Sequence, residues 1–189
     1  MTGNDIVDLN FARVPLGERR SRFLNKIFTR AEQEIINSRG CDIWSLWAMK
    51  EAIYKAHHRR FDLPRNFDPK QIEVNIISSS NISIQACGLY KGYTYWGNGD
   101  LTSEYIHFSA SCNPLNPIIT EVQQSASAIK NRFKLLVSEK MSLNTEEISI
   151  VKNQNLIPQL FYKNKLLNLP FSLSHHGKYA AFSFQLINY

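Results

Sequence analysis

Residues 42–57 place two tryptophans, a glutamate and a lysine on one face of a helix, and that combination restricts what the chain can fold into. Asp42 can cap a helix running to about His57. Trp44, Trp47, Ala48, Glu51 and Lys55 then recur at three- and four-residue spacing and share one face. A face with two tryptophans packs against something, and a glutamate and a lysine on such a face need partners. Taken alone, Glu51 and Lys55 also read as an ordinary i,i+4 surface pair, worth about 0.3–0.5 kcal/mol. The other reading is a metal ligand or base beside a phosphate-facing cation. Both stay open at this point.

The elements around this helix follow from local signals. Residues 5–9 read as a short strand. Thr29-Arg30-Ala31-Glu32 is a capping box, which starts a helix ending near Gly40. Ile72, Val74 and Ile76 alternate with polar residues and predict a strand. Residues 82–96 and 104–112 read as two strands around a Gly97-Asn98-Gly99-Asp100 turn. Asn113-Pro114-Leu115-Asn116-Pro117 is a natural linker. A third helix follows, with Ile129, Phe133, Leu136 and Val137 on one face. Strands at 147–152 and 158–162 come next. A last hairpin runs from Leu169 to Leu173, through a His175-His176-Gly177 turn, to Tyr179–Leu186. Each half has a helix followed by strands. The expectation is an α+β fold with two similar lobes, a pseudo-dimer: residues 1–113, a linker at 114–119, and residues 120–189.

Composition narrows the setting. Hydrophobic residues make up 43% of the 189, enough for a core. The formal charge of +6 favours acidic partners, including phosphorylated cofactors and acidic proteins, without choosing among them. The basic residues are scattered, with pairs such as Arg19-Arg20 and Arg59-Arg60. Cys41, Cys87 and Cys112 form no C-x-x-C pair, which argues against a disulfide framework or a zinc knuckle and for a reducing compartment. The start of the chain lacks a basic-then-apolar stretch, and no apolar run approaches the roughly 18–20 residues of a membrane helix. A soluble, cytoplasmic protein is expected.

Several residues could carry chemistry. Asp5, beside Gly3 at a strand start, can hold a hard cation near a phosphate or simply shape a turn. Ser172, Ser174 and His175 lie where a strand meets a turn, and could bind phosphate oxygens or be a polar hairpin end. His57 and His58 read as caps at a helix C-terminus, and His107 as structural. Tyr90, Tyr93, Tyr95 and Trp96 beside Lys91 are either strand packing or a stacking surface for RNA. No H-E-x-x-H, G-x-S-x-G or Walker sequence occurs.

In combination these residues resemble the 4′-phosphopantetheinyl transferase superfamily. Gly3-Asn4-Asp5-Ile6-Val7-Asp8 is similar to its G-x-D-[IV]-[VE]-[ED] signature. Trp47 through Ala56 is similar to W-x-x-K-E-A-x-x-K-A. Phe171-Ser172-Leu173-Ser174-His175-His176-Gly177 is similar to F-[SN]-[LI]-S-H-[ST]-G, and Phe28 through Glu32 to F-T-x-x-E. The S-H motif follows the other two, as in the short holo-acyl-carrier-protein synthase type, while the length is closer to the two-lobed surfactin-synthase-activating type. There are departures. Val7 stands where the two-lobed type often has a second metal-binding glutamate, and Asp8 points to the opposite face of its strand. Leu156-Ile157-Pro158 replaces a frequent G-K-P, which removes a coenzyme-binding lysine, with Lys163 or Lys165 as candidates to replace it.

The resemblance implies transfer of phosphopantetheine from coenzyme A to a serine of an apo carrier protein, with 3′,5′-ADP leaving. It implies Mg²⁺ held by Asp5 and Glu51. Glu51, directly or through a metal-bound water, is the candidate base, and Lys55 stabilises the leaving phosphate. Lys50, Lys55, Ser174 and His175 are the expected coenzyme-binding residues, with His175 rather than His176 facing the coenzyme and His176 tolerating exchange. The expected partners are coenzyme A and an acidic acyl or peptidyl carrier protein, with no nucleic acid and no membrane, for a monomer of two lobes. Two alternatives remain: a catalytically weakened relative that binds coenzyme A or a carrier, and a basic RNA-binding module.

Overall fold

The computed structural model describes residues 1–12, 18–38 and 42–186. Gly40, the expected end of the second helix, and Cys41 lie outside the described residues. The first half opens with β1 (Thr2–Asp8), followed by α1 (Glu18–Ile27), α2 (Arg30–Ser38) and α3 (Ile43–Phe61). Four strands complete it: β2 (Ile72–Ser79), β3 (Ser83–Tyr90), β4 (Tyr93–Leu101) and β5 (Tyr105–Ser111). Together with β1 they form one antiparallel sheet in the order β1-β5-β4-β3-β2. The second half contains β6 (Ile119–Gln123), α4 (Ala126–Met141), β7 (Ile148–Lys152), β8 (Pro158–Tyr162), β9 (Lys165–Leu167), β10 (Phe171–His176) and β11 (Tyr179–Phe184). Its strands form two three-stranded sheets, β10-β11-β6 and β7-β8-β9. The fold is α+β. No described helix is long and apolar enough to cross a membrane.

α3 is the central support of the first half. Asp42 caps it by accepting a hydrogen bond from Trp44 N at 2.6 Å. Leu46, Ala48, Met49, Ala52, Ile53 and Ala56 are buried among sheet side chains. The helix passes so close to β1 that a Cβ on Gly3 would lie 2.1 Å from Ala52 O and 2.4 Å from Ala56 N. Only glycine allows that approach, and it carries Asp5 over the helix face two residues later. The capping box forms as expected: Glu32 N donates to Thr29 Oγ1 at 3.3 Å, and Thr29 N donates to Glu32 Oε2 at 2.8 Å. In the second half α4, capped by Ser125, buries Ile129, Phe133 and Val137 against Phe171, Phe182 and Phe184.

Two expected turns are strands. Gly97 through Asp100 belongs to β4, and the hairpin turn is Lys91-Gly92, with φ of 47° and 80° as a two-residue primed turn needs. Gly97 and Gly99 make room for Phe108, whose ring lies 2.5–2.6 Å from where their Cβ atoms would sit. At the end of the chain His175 and His176 pair with Ala180 and Tyr179 inside the β10–β11 ladder, so the turn begins at Gly177. The helix α1 and strands β6 and β9 carried no clear signal in the sequence.

β1 is the edge strand of its sheet, and the second half covers that edge. Asn4 N donates to Ser172 Oγ at 3.1 Å, and Asp8 N donates to His176 Nδ1 at 2.9 Å. Two outward amides four residues apart thus meet two β10 side chains four residues apart, which satisfies backbone groups an open edge would expose. Thr2 Oγ1 meets Ser183 Oγ at 3.1 Å, Ile6 packs with Tyr179 and Ala181, and Ser111 Oγ donates to Gln185 Oε1. Farther along, Asn153 and Asn155 both donate to Asp62, the left-handed residue that ends α3.

Candidate active site

Alternation along β1 divides its side chains between two jobs. Gly3, Asp5 and Val7 face α3; Thr2, Asn4, Ile6 and Asp8 face the second half. Asp5 therefore meets Lys55, whose Nζ lies 2.6 Å from Asp5 Oδ1 and 3.9 Å from Glu51 Oε2. The Glu51–Lys55 pair is not a free surface pair: the side chains are only 16% and 26% exposed, and Asp5 is 11% exposed. Burial raises the pKa of Glu51 above the usual carboxylate value; Lys55 opposes the shift and Asp5 adds to it.

These residues line a cleft of about 510 Å³. α3 supplies Trp44, Trp47, Glu51, Tyr54, Lys55, His58 and Arg59, and β1 supplies Asp5, Ile6 and Val7. The opposite wall comes from Ala126, Ile129 and Lys130 of α4, from Ile150 and Lys152 of β7 with the following loop, and from Ser172 to His176 of β10. Glu51 and His175 of one chain thus line one cleft. Ser174 is 8% exposed and its Oγ has no hydrogen-bond partner. His175 is exposed on the cleft side. His176 Nδ1 is occupied by Asp8 N, and its ring meets Phe11 edge-on at 5.4 Å. The expectation that His176 exchanges freely overlooked this bond.

Lys50 was expected to bind coenzyme, but the structure buries it completely. Its ammonium pairs with Glu32 at 2.7 Å and donates to Pro69 O and Ile72 O, both at 2.8 Å. All three ammonium protons are used, so none remains for a ligand. Burial lowers the pKa of Lys50, and Glu32 opposes the shift. Glu32 also accepts from Val74 N, so the F-T-x-x-E glutamate and the K-E-A lysine form one buried knot. His57 and His58 are both buried, and the His58 carbonyl accepts the Asp62 amide at the helix end. The helix continues to Phe61, and burial lowers both pKa values.

Neither residue expected to stand in for the missing G-K-P lysine lines the cleft. Ile157 is buried in that place, and Leu156 holds the left-handed conformation at φ 62°. Lys163 pairs with Glu147 at 3.4 Å, and neither it nor Lys165 lines the cleft. Lys152, cross-strand from Pro158, does line it, as do Lys130, Arg59 and Arg65. Sequence reading missed these four cations. Arg59 alone had a signal, because it lies one turn beyond Lys55 on the same helical face. With Lys55 the lining holds five Lys or Arg residues against two carboxylates, an environment for a polyanion.

The proposed RNA platform is not assembled as read. Tyr90 and Tyr95 are buried at 2% and 0%, and Tyr95 OH bonds His57 Nδ1. Tyr93 and Trp96 are partly exposed but stand on opposite faces of β4.

Among the described residues no group of three His, Cys, Asp or Glu forms a metal cage. The donors present still suit magnesium, which takes one or two carboxylates and completes its octahedron with water and substrate phosphate. Asp5 and Glu51 converge on one ammonium, and the buried Glu51 carboxylate gains from a neighbouring positive charge.

A model of the 4′-phosphopantetheinyl transferase superfamily matches residues 1–108. A holo-[acyl-carrier-protein] synthase of Dehalococcoides mccartyi is 31% identical over 87 residues, 46% of this chain and 70% of that relative. No solved structure matches. The family match contains Asp5, Glu51 and Lys55 and ends within β5, so β10 reaches the site through the tertiary fold.

Proposed function

Because the chain belongs to the 4′-phosphopantetheinyl transferase superfamily, we propose that it moves the phosphopantetheine arm of coenzyme A onto a serine of an acidic apo carrier protein. The observation that carries this reading is the meeting of Asp5, Glu51 and Lys55 with Ser174 and His175 in one basic cleft. Residues 1–113 and 120–189 act as two lobes joined at 114–119, and the reaction occurs between them.

The serine hydroxyl attacks the β-phosphorus of coenzyme A. A serine O–P bond forms, the bond from that phosphorus to the bridging oxygen breaks, and 3′,5′-ADP leaves with the bond's electrons. Phosphoryl transfer of this kind depends on positioning and charge neutralisation more than on covalent chemistry by the protein. Glu51 accepts the serine proton at a carboxylate oxygen. Lys55, on the same face, neutralises charge on the departing phosphate. Ser174 Oγ and His175 hold phosphate oxygens from the second lobe, and Arg59, Lys130 and Lys152 balance the remaining phosphate charge. Asp5 and Glu51 are the residues to hold Mg²⁺, which supplies neutralisation of the pyrophosphate.

Val7 in place of a carboxylate, and Ile157 in place of a lysine, favour a second reading: a weakened relative that binds coenzyme A without transfer. One experiment separates the two. The chain is incubated with coenzyme A, Mg²⁺ and several apo carriers, and intact mass is read. Added phosphopantetheine on a carrier supports transfer; binding of coenzyme A with no mass change supports the weakened relative.

A further inference from the structure

The reaction as drawn leaves Asp8 without a role, although it is 3% exposed and fully engaged. Its side chain lies on the face of β1 opposite Asp5, turned toward the β10–β11 hairpin. Asp8 Oδ2 accepts from Lys178 N at 3.0 Å, and Oδ1 accepts from Asn10 N at 3.0 Å. Its own amide donates to His176 Nδ1. Gly177 fits against this carboxylate with φ 55°, and a Cβ there would lie 2.3 Å from Asp8 Oδ2. The turn is shaped around Asp8.

We propose that Asp8 is a positioning residue that locks the β10–β11 turn to β1 and so sets where Ser174 and His175 stand relative to Asp5. The proposal rests on the coenzyme A reading above and assigns the residue that holds its second wall in register. β1 carries Asp5 on one face and the lock on the other, and β10 is tied to it at Asn4–Ser172 and Asp8–His176. Ser174 and His175 lie between those two ties. Removing the Asp8 carboxylate's bond to Lys178 N loosens the turn beyond the end of β10 that carries His175, while Asp5, Glu51 and Lys55 keep their contacts within the first half.

The test uses the full chain with Asp8→Asn, Gly177→Ala and the double variant. Asp8→Asn keeps the volume but removes the charge and one acceptor. Gly177→Ala pushes the turn off the carboxylate from the other side. Coenzyme A affinity and Mg²⁺ affinity are read by calorimetry, with KM and kcat on an apo carrier. Each single variant is expected to weaken coenzyme A binding and raise KM about 10-fold, with kcat and Mg²⁺ affinity little changed. Because both act through one contact, the double variant is expected to be no worse than the more severe single one. Loss of Mg²⁺ affinity in Asp8→Asn with coenzyme A binding intact overturns the proposal and makes Asp8 a ligand. Additive effects, or a lower melting temperature with unchanged KM, also overturn it. A wild-type chain that binds no coenzyme A overturns the functional reading and the proposal with it; wild-type binding with an equal affinity in Asp8→Asn overturns the proposal alone.

Discussion

Lys55 Nζ lies 2.6 Å from Asp5 Oδ1, joining α3 to β1 across 50 residues of chain. The same ammonium stands 3.9 Å from Glu51 Oε2, so one lysine is shared between two carboxylates. Asp5 and Glu51 would hold a divalent cation here, which would supply positive charge in place of Lys55.

The first prediction follows from this exchange. Asp5→Ala and Glu51→Gln should each lower the transfer rate by at least about 100-fold, near 3 kcal/mol in the barrier, with the fold retained. Circular dichroism checks the fold, and a carrier mass-shift assay checks the rate. Full transfer in excess chelator removes the cation from the mechanism.

Cation binding should depend on pH through Glu51. Burial raises its pKa in the folded chain, so the protonated form persists above the ordinary value of about 4.3. A cation must displace that proton, so affinity should rise with pH until Glu51 is fully ionised. For the same reason, charging Glu51 costs the cation-free chain stability as pH rises through this interval. Mg²⁺ titration by calorimetry across the acid range, compared with Glu51→Gln, reads the effect. An unchanged pH profile in the variant counts against Glu51.

Lys50 and Glu32 should behave as a structural pair. Lys50→Met leaves a buried carboxylate without its cation and should cost about 3–5 kcal/mol in urea unfolding. Adding Glu32→Gln, which removes the stranded charge, should recover part of that loss. Coenzyme A affinity per folded molecule should stay the same. A selective affinity loss at full stability contradicts the buried geometry.

The two adjacent histidines should separate by phenotype. His175→Ala should weaken coenzyme A binding by about 1.5–3 kcal/mol, the range for a hydrogen bond to a charged group. His176→Ser should instead cost about 1 kcal/mol of stability by stranding the Asp8 amide. Calorimetric affinity and thermal unfolding of both variants test the assignment, and a reversed pattern refutes it.

Lys130→Ala and Lys152→Ala should each reduce coenzyme A affinity by about 3- to 10-fold, since each removes one net hydrogen-bonding cation of roughly 0.5–1.5 kcal/mol. The loss should shrink at high salt, because exposed charges are screened. Binding that ignores both substitutions places the coenzyme phosphates elsewhere in the cleft.

What the sequence determined by itself was local. The Thr29–Glu32 box, the Asp42 cap and the Trp44–Lys55 face are set by side chains within a few residues of one another, and all three form as read. Alternation along β1 alone places Asp8 opposite Val7. Residues 97–100 misled because their glycines answer to Phe108 on the next strand rather than to a turn. Lys50 misled because its partner, Glu32, lies in another helix, and nothing local distinguishes a buried lysine from a ligand-facing one. Lys130 and Lys152 gave no signal because they join the cleft only when α4 and β7 fold against α3. Tertiary structure alone decided these points: whether a charge faces solvent, core or cleft is settled by which distant segment packs over it, and short-range periodicity carries no record of that neighbour.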